Sequence, residues 1–127
     1  MLKLLKASFL GLIAMAFTAS SYADITFVSW GGAYTASQQK AYVDTYVSLN
    51  PDAKITVENY NGGLGEIKAQ VEAGNVTWDV VDVLPDQAIT GCDEGLFAKV
   101  DQSEFINDMV VAPVSECVVP QIFWAYT

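Results

Sequence analysis

A chain of 127 residues has room for one modest core, and its composition closes off several classes of function. There is no histidine and no arginine, so the usual general base and the forked phosphate clamp are both missing. Six lysines against fifteen acids leave a net charge of −9, which argues against a nucleic-acid partner.

The first stretch reads as a removable leader. Lys3 and Lys6 form a positive start, the run from Ala7 to Ala19 is mostly apolar, and Ser21-Tyr22-Ala23 supplies small residues at the two positions read by signal peptidase. The apolar run is shorter than the roughly 20 residues needed to span a bilayer. Residues 1–23 are therefore expected to be a signal peptide and Asp24 the mature start. The remaining 104 residues carry four lysines against fifteen acids, a net charge of −11.

Ile25-Thr26-Phe27-Val28-Ser29-Trp30 alternates like a strand, breaks at Gly31-Gly32 and leads into a helical pattern. Thr35-Ala36-Ser37-Gln38 has the form of a capping box and places the helix start near Thr35. Tyr42, Val43, Tyr46, Val47 and Leu49 then recur at helical spacing, so both tyrosines are expected to face the core. Asn50-Pro51-Asp52 ends this helix. A second strand, Ile55-Thr56-Val57-Glu58, stops at Asn59-Tyr60-Asn61-Gly62-Gly63. The second helix sets Leu64, Ile67 and Val71 on one face and closes at Gly74-Asn75.

Trp78 to Leu84 reads as a third strand, and its nearly continuous apolar centre predicts burial on both faces. Asp82 interrupts that run near its carboxyl end. A carboxylate there either reaches a cleft or caps the next helix. That helix runs from Pro85 to Gly95 with Ala88, Ile89 and Cys92 inward, and an irregular segment follows to Cys117-Val118-Val119-Pro120. Gln121 to Thr127 looks like the start of another strand.

Strand and helix alternate three times, which predicts an α/β fold with right-handed crossovers on a parallel sheet. Sheet order 2-1-3 would put the topological switch between the first and third strands, where Trp30 and Asp82 meet. Trp30, Gly31, Gly32, Tyr34 and Asp82 are the candidate ligand-binding residues, with Tyr60 and Asn61 second. In an exported chain Cys92 and Cys117 are expected to form one disulfide. No metal site is expected, because two thiols without histidine make an incomplete ligand set, and no cofactor motif appears. Enzymatic function lacks support: there is no Gly-x-Ser-x-Gly elbow and no histidine base. A phospho-accepting receiver built on Asp82 is the alternative from another class, and the leader argues against it.

The leader, the strand ending in Trp30-Gly31-Gly32-Ala33-Tyr34, the Tyr60-Asn61-Gly62-Gly63 turn, the Gly74-Asn75-Val76-Thr77-Trp78-Asp79-Val80-Val81 segment and Cys92-Asp93-Glu94-Gly95-Leu96-Phe97 together resemble extracytoplasmic solute-binding proteins of ABC transporters. The likeness is to the spermidine/putrescine-binding branch. It implies a type II periplasmic binding protein, of which residues 24–127 would be an incomplete amino-terminal lobe. It further implies a monomer that delivers a small solute to a permease in the inner membrane. Trp30 and Tyr34 match aromatics that pack against an aliphatic amine in polyamine binders, with cation–π attraction worth about 0.5 to 2 kcal/mol per contact. Asp82-Val83-Leu84-Pro85 departs from the Ser and aromatics of that branch. An anionic or amino-acid-type solute at the Gly31-Gly32 helix start is the alternative within the class, because free backbone N–H groups there favour negative charge.

Overall fold

In the computed structural model, which describes residues 24–103 and 111–121, three parallel strands form one sheet in the order β2-β1-β3. β1 is Ile25–Ser29, β2 is Ile55–Asn59 and β3 is Val80–Val81. Ile25 to Ser29 pair in register with Ile55 to Asn59, while Phe27 and Val28 pair with Val80 and Val81. Being central, β1 carries the most shielded residues of the described chain: Val28 and Ser29 are fully buried. The expected leader, the segment 104–110 and, apart from Gln121, which is not in a strand, the strand expected from Gln121 to Thr127 lie outside the described residues.

β1 leads through Gly31 into α1, Gly32–Gln38, which begins three residues before the expected Thr35. The Thr35 hydroxyl accepts the Gly31 N–H over 2.7 Å, so it closes the turn from inside the first helical turn and does not act as an N-cap. α1 runs on through a π-helical stretch, Gln39–Val43, into α2, Asp44–Leu49. The wider π turn explains a misplaced face. Residues five apart now share a side, so Gln38 and Val43 are buried while Tyr42 and Tyr46 are exposed, against expectation.

α3, Gly65–Glu72, buries Ile67. It closes as expected: the Asn75 N–H reaches the Gln70 carbonyl and the Gly74 N–H the Val71 carbonyl, both over 3.0 Å. α4, Pro85–Asp93, buries Ala88 but exposes Ile89, which was expected inward. A helix resting on one side of the chain has room for only a narrow inward stripe, and Ala88 and Gly91, three apart, fill it.

β3 is shorter than its apolar run predicts, and Val80 is 51% exposed. The physical reason is its place at the edge of the described sheet, paired with β1 alone. The Asp79 carboxylate accepts the Thr26 N–H over 2.7 Å, taking a position that a strand carbonyl would fill. Cys92 and Cys117 are joined by a disulfide, Cα to Cα 5.7 Å, which fastens the 111–121 segment to the end of α4. Among the described residues, no helix is long and apolar enough to cross a membrane.

Candidate functional site

The last carbonyls of β1 point to opposite sides and draw in its two neighbours. Ser29 O accepts the Tyr60 N–H and Val28 O accepts the Asp82 N–H, each over 2.9 Å. Tyr60 and Asp82 therefore flank Trp30 at the carboxyl edge of the sheet, where ligands of open α/β folds bind.

Asp82 is the hub. Its backbone carbonyl accepts the Trp30 indole N–H over 3.0 Å and the Tyr60 hydroxyl. Its carboxylate accepts Gln38 Nε2 over 3.0 Å on one oxygen and Gln121 Nε2 over 2.8 Å on the other, with the Tyr34 phenol as a further donor. Leu84 is the N-cap of α4, with its N–H on Gln87 Oε1 over 3.2 Å, so the capping alternative for Asp82 is set aside. Among the described residues every donor that meets the carboxylate is neutral. The ion pairs among the described residues, Lys54–Asp24, Lys68–Glu94 and Lys99–Glu116, all lie elsewhere.

Trp30 and Tyr34 stack with ring centroids 5.6 Å apart and planes 25° from parallel. Both are half-buried. Burial first, then the hydrogen bond to the Asp82 carboxylate and its charge, with a smaller contribution from Tyr42, hold the Tyr34 phenol well above its usual value of 10.0. The Tyr60 phenol is also raised, chiefly by burial; its hydrogen bond with Trp30 opposes the shift and the Asp82 charge adds to it.

The sequence-stated candidates divide accordingly. Trp30, Tyr34 and Asp82 come together. Tyr60 is buried, with its ring in an edge-to-face contact with Trp78, centroids 5.4 Å apart, and its hydroxyl on Asp82, so it braces the site. Asn61 is exposed in the turn beyond it. Gly31 has φ 89° and ψ −178°, a conformation that essentially only glycine adopts, although a Cβ there would meet the Asn59 side chain at an ordinary contact distance of 3.6 Å. Its N–H is already taken by Thr35, which removes one of the donors an anion at this helix start would use. Two site residues were not read from the sequence, Gln38 and Gln121. Gln38 is buried, and its amide links the Ser29 hydroxyl to Asp82. Its one sequence signal, the last position of the Thr35-Ala36-Ser37-Gln38 pattern, pointed to a helix cap and not to the site. Among the described residues no cluster of His, Cys, Asp and Glu fits a metal ion.

Residues 41–123 match the family of bacterial extracellular solute-binding proteins. The chain belongs to that family. Consistent with this, it is 36% identical over 121 residues to the gamma-aminobutyric acid-binding protein of Pseudomonas aeruginosa, an alignment covering 91% of this chain and 34% of that one. This solute-binding protein thus spans about a third of the length of that curated relative. Its fold matches an ABC transporter substrate-binding protein from Bradyrhizobium japonicum USDA 110 with a TM-score of 0.61 and 38% identity, over 67% of this chain and 26% of the other. It also matches the periplasmic binding protein AgtB from A. tumefaciens R10, solved with agropinic acid, with a TM-score of 0.58 and 36% identity, over 64% and 25% of the two chains. The fold is the α/β fold of periplasmic binding proteins, and the relatives bind solutes and are not enzymes.

Proposed function

We propose that this solute-binding protein is the periplasmic substrate-binding component of an ABC transporter and that its solute is small and carries a protonated amine. The observation that carries the reading is the Asp82 carboxylate: an anion at the strand tips, beside the Trp30–Tyr34 stack, met among the described residues by neutral donors. An ammonium group would supply the missing cation, adding direct Coulombic attraction to hydrogen bonds that the carboxylate's own charge already strengthens. The aromatic pair would pack along the aliphatic part of the solute. A polyamine and an ω-amino acid share this end. The names of the relatives, one a binder of gamma-aminobutyric acid and one crystallised with agropinic acid, favour the amino-acid-type solute over spermidine or putrescine. Export through the leader and delivery to an inner-membrane permease complete the proposal; amino-terminal sequencing of protein recovered from the periplasm is expected to begin at Asp24.

The test is titration calorimetry of the full-length protein with γ-aminobutyrate, putrescine and spermidine. Binding of γ-aminobutyrate that weakens about 10- to 100-fold in Asp82→Asn supports the reading, that range being the worth of one hydrogen bond to a charged group. Absence of heat with every amine rejects it.

A further inference from the structure

The Asp82 carboxylate is already engaged by a group that resembles the proposed solute. Gln121 follows Pro120 on an exposed segment, yet its amide is satisfied on all sides. Nε2 donates to Asp82 Oδ1 over 2.8 Å and to the Tyr34 hydroxyl over 2.9 Å. Oε1 accepts from Gln38 Nε2 and from the Tyr42 hydroxyl, each over 3.2 Å. The orientation of the amide follows from chemistry: a carboxylate only accepts, so the nitrogen must face Asp82. What reaches the carboxylate is thus an N–H-rich group at the distance a primary ammonium would adopt.

We propose that Gln121 is a displaceable occupant of the site, a neutral stand-in for the solute's ammonium that the solute must push aside. The inference rests on the amine reading above. It makes Gln121 a specificity-determining residue. A neutral donor offers Asp82 no more than the amide already does and has no driving force to replace it. A cation adds direct Coulombic attraction to the carboxylate, which offsets the cost of freeing the amide, an exposed group that finds water once released. Solutes lacking a charge at this end are therefore filtered out by competition with the protein's own side chain.

The experiment compares full-length wild type with Gln121→Ala and Gln121→Met, the second keeping the side-chain length without its hydrogen bonds. Titration with γ-aminobutyrate is expected to show tighter binding in both variants, by about tenfold, the equivalent of one net hydrogen bond. In 15N-labelled wild type the Gln121 side-chain amide resonances are expected to shift on adding γ-aminobutyrate, as the group leaves Asp82 for solvent. Unchanged affinity in both variants overturns the inference, and so does weaker binding, which would make Gln121 a direct solute contact. Saturation of wild type without movement of the amide resonances overturns it as well. If no amine binds wild type or either variant, it is the amine reading that fails, and the displacement falls with it; the two failures are told apart by whether wild type binds.

Discussion

The indole N–H of Trp30 donates to the backbone carbonyl of Asp82 over 3.0 Å, so the tips of β1 and β3 are fastened by a side chain where the strand ladder has ended. The Tyr60 hydroxyl, arriving from the end of β2, donates to the same oxygen. One carbonyl therefore gathers the ends of all three strands, and the Asp82 side chain is held outward toward the Trp30–Tyr34 stack.

Because the two donors share one acceptor, their loss is expected to be coupled. Trp30→Phe or Tyr60→Phe leaves the carbonyl one partner and should cost about 1 kcal/mol in denaturant unfolding. The double variant leaves it with neither donor and should cost more than the two singles together. Strict additivity would show that the carbonyl is not the shared element.

The Tyr34 phenol gives the site a pH signature. Its value in the folded protein is raised, by burial first and then by the Asp82 carboxylate, so the folded state keeps a proton that the unfolded chain releases near 10.0. Its contribution to stability is full below pH 10.0 and is lost as the pH rises through the folded value. Subtracting the tyrosinate absorbance of Tyr34→Phe from that of wild type should isolate a chromophore titrating above 10.0. Asp82→Asn should move it down by removing the charge and the charged acceptor, yet leave it above 10.0, since burial is the larger cause. A chromophore that titrates at 10.0 in wild type would contradict the buried, carboxylate-linked geometry.

Much of this arrangement was legible before the structure. The alternation of Ile25 to Ser29, the Gly31-Gly32 break and the turn at Asn61-Gly62 are local signals, and they placed Trp30 and Asp82 at one edge of a sheet ordered 2-1-3. What escaped was non-local. A π turn shifts the helical hydrogen bonds by one residue and leaves no mark in composition, so Tyr42 read as core; Gln38 read as a capping residue because the helix starts at Gly32 and not at Thr35. The length of β3 depends on what pairs with its edge, which the apolar run from Val80 cannot specify. Gln121 sits in an irregular segment, and nothing near it in sequence says that the chain returns to Asp82, 39 residues back.

That return is held by the disulfide between Cys92 and Cys117, 25 residues apart. In the chain-entropy model a closed loop of this size stabilises by about 3.5 kcal/mol. Further bonds assist it: Gln102 Nε2 donates to the Ser115 and Val118 carbonyls over 3.0 and 2.7 Å, and the Val100 N–H to the Glu116 carbonyl over 2.9 Å. Replacing both cysteines with serine is expected to lower unfolding stability by roughly that amount. It should also speed amide exchange in 111–121 while β1 and β2 keep their protection, because their pairing does not involve the strap. Equal exchange in 111–121 with and without the disulfide would mean that the Gln102 bonds suffice to hold it.

The turn that presents Cys92 depends on the residue before it. Gly91 lies buried in α4, and a Cβ built there would stand 2.2 Å from Phe97 Cε2 and 2.8 Å from Cδ2. The chain reverses at Gly95, the Leu96 N–H reaches the Gly91 carbonyl over 2.8 Å, and the Phe97 ring is thereby laid across the bare backbone. Alanine in a helix interior normally gains about 1 kcal/mol over glycine. Here the overlap must win, because 2.2 Å to a ring carbon forces the ring or the helix to move. Gly91→Ala is expected to destabilise by about 1 to 3 kcal/mol, the usual cost of overpacking. The same substitution made in a Phe97→Leu background should cost less, since a smaller side chain frees the space. A stabilising Gly91→Ala in wild type would show that Phe97 does not rest on this turn.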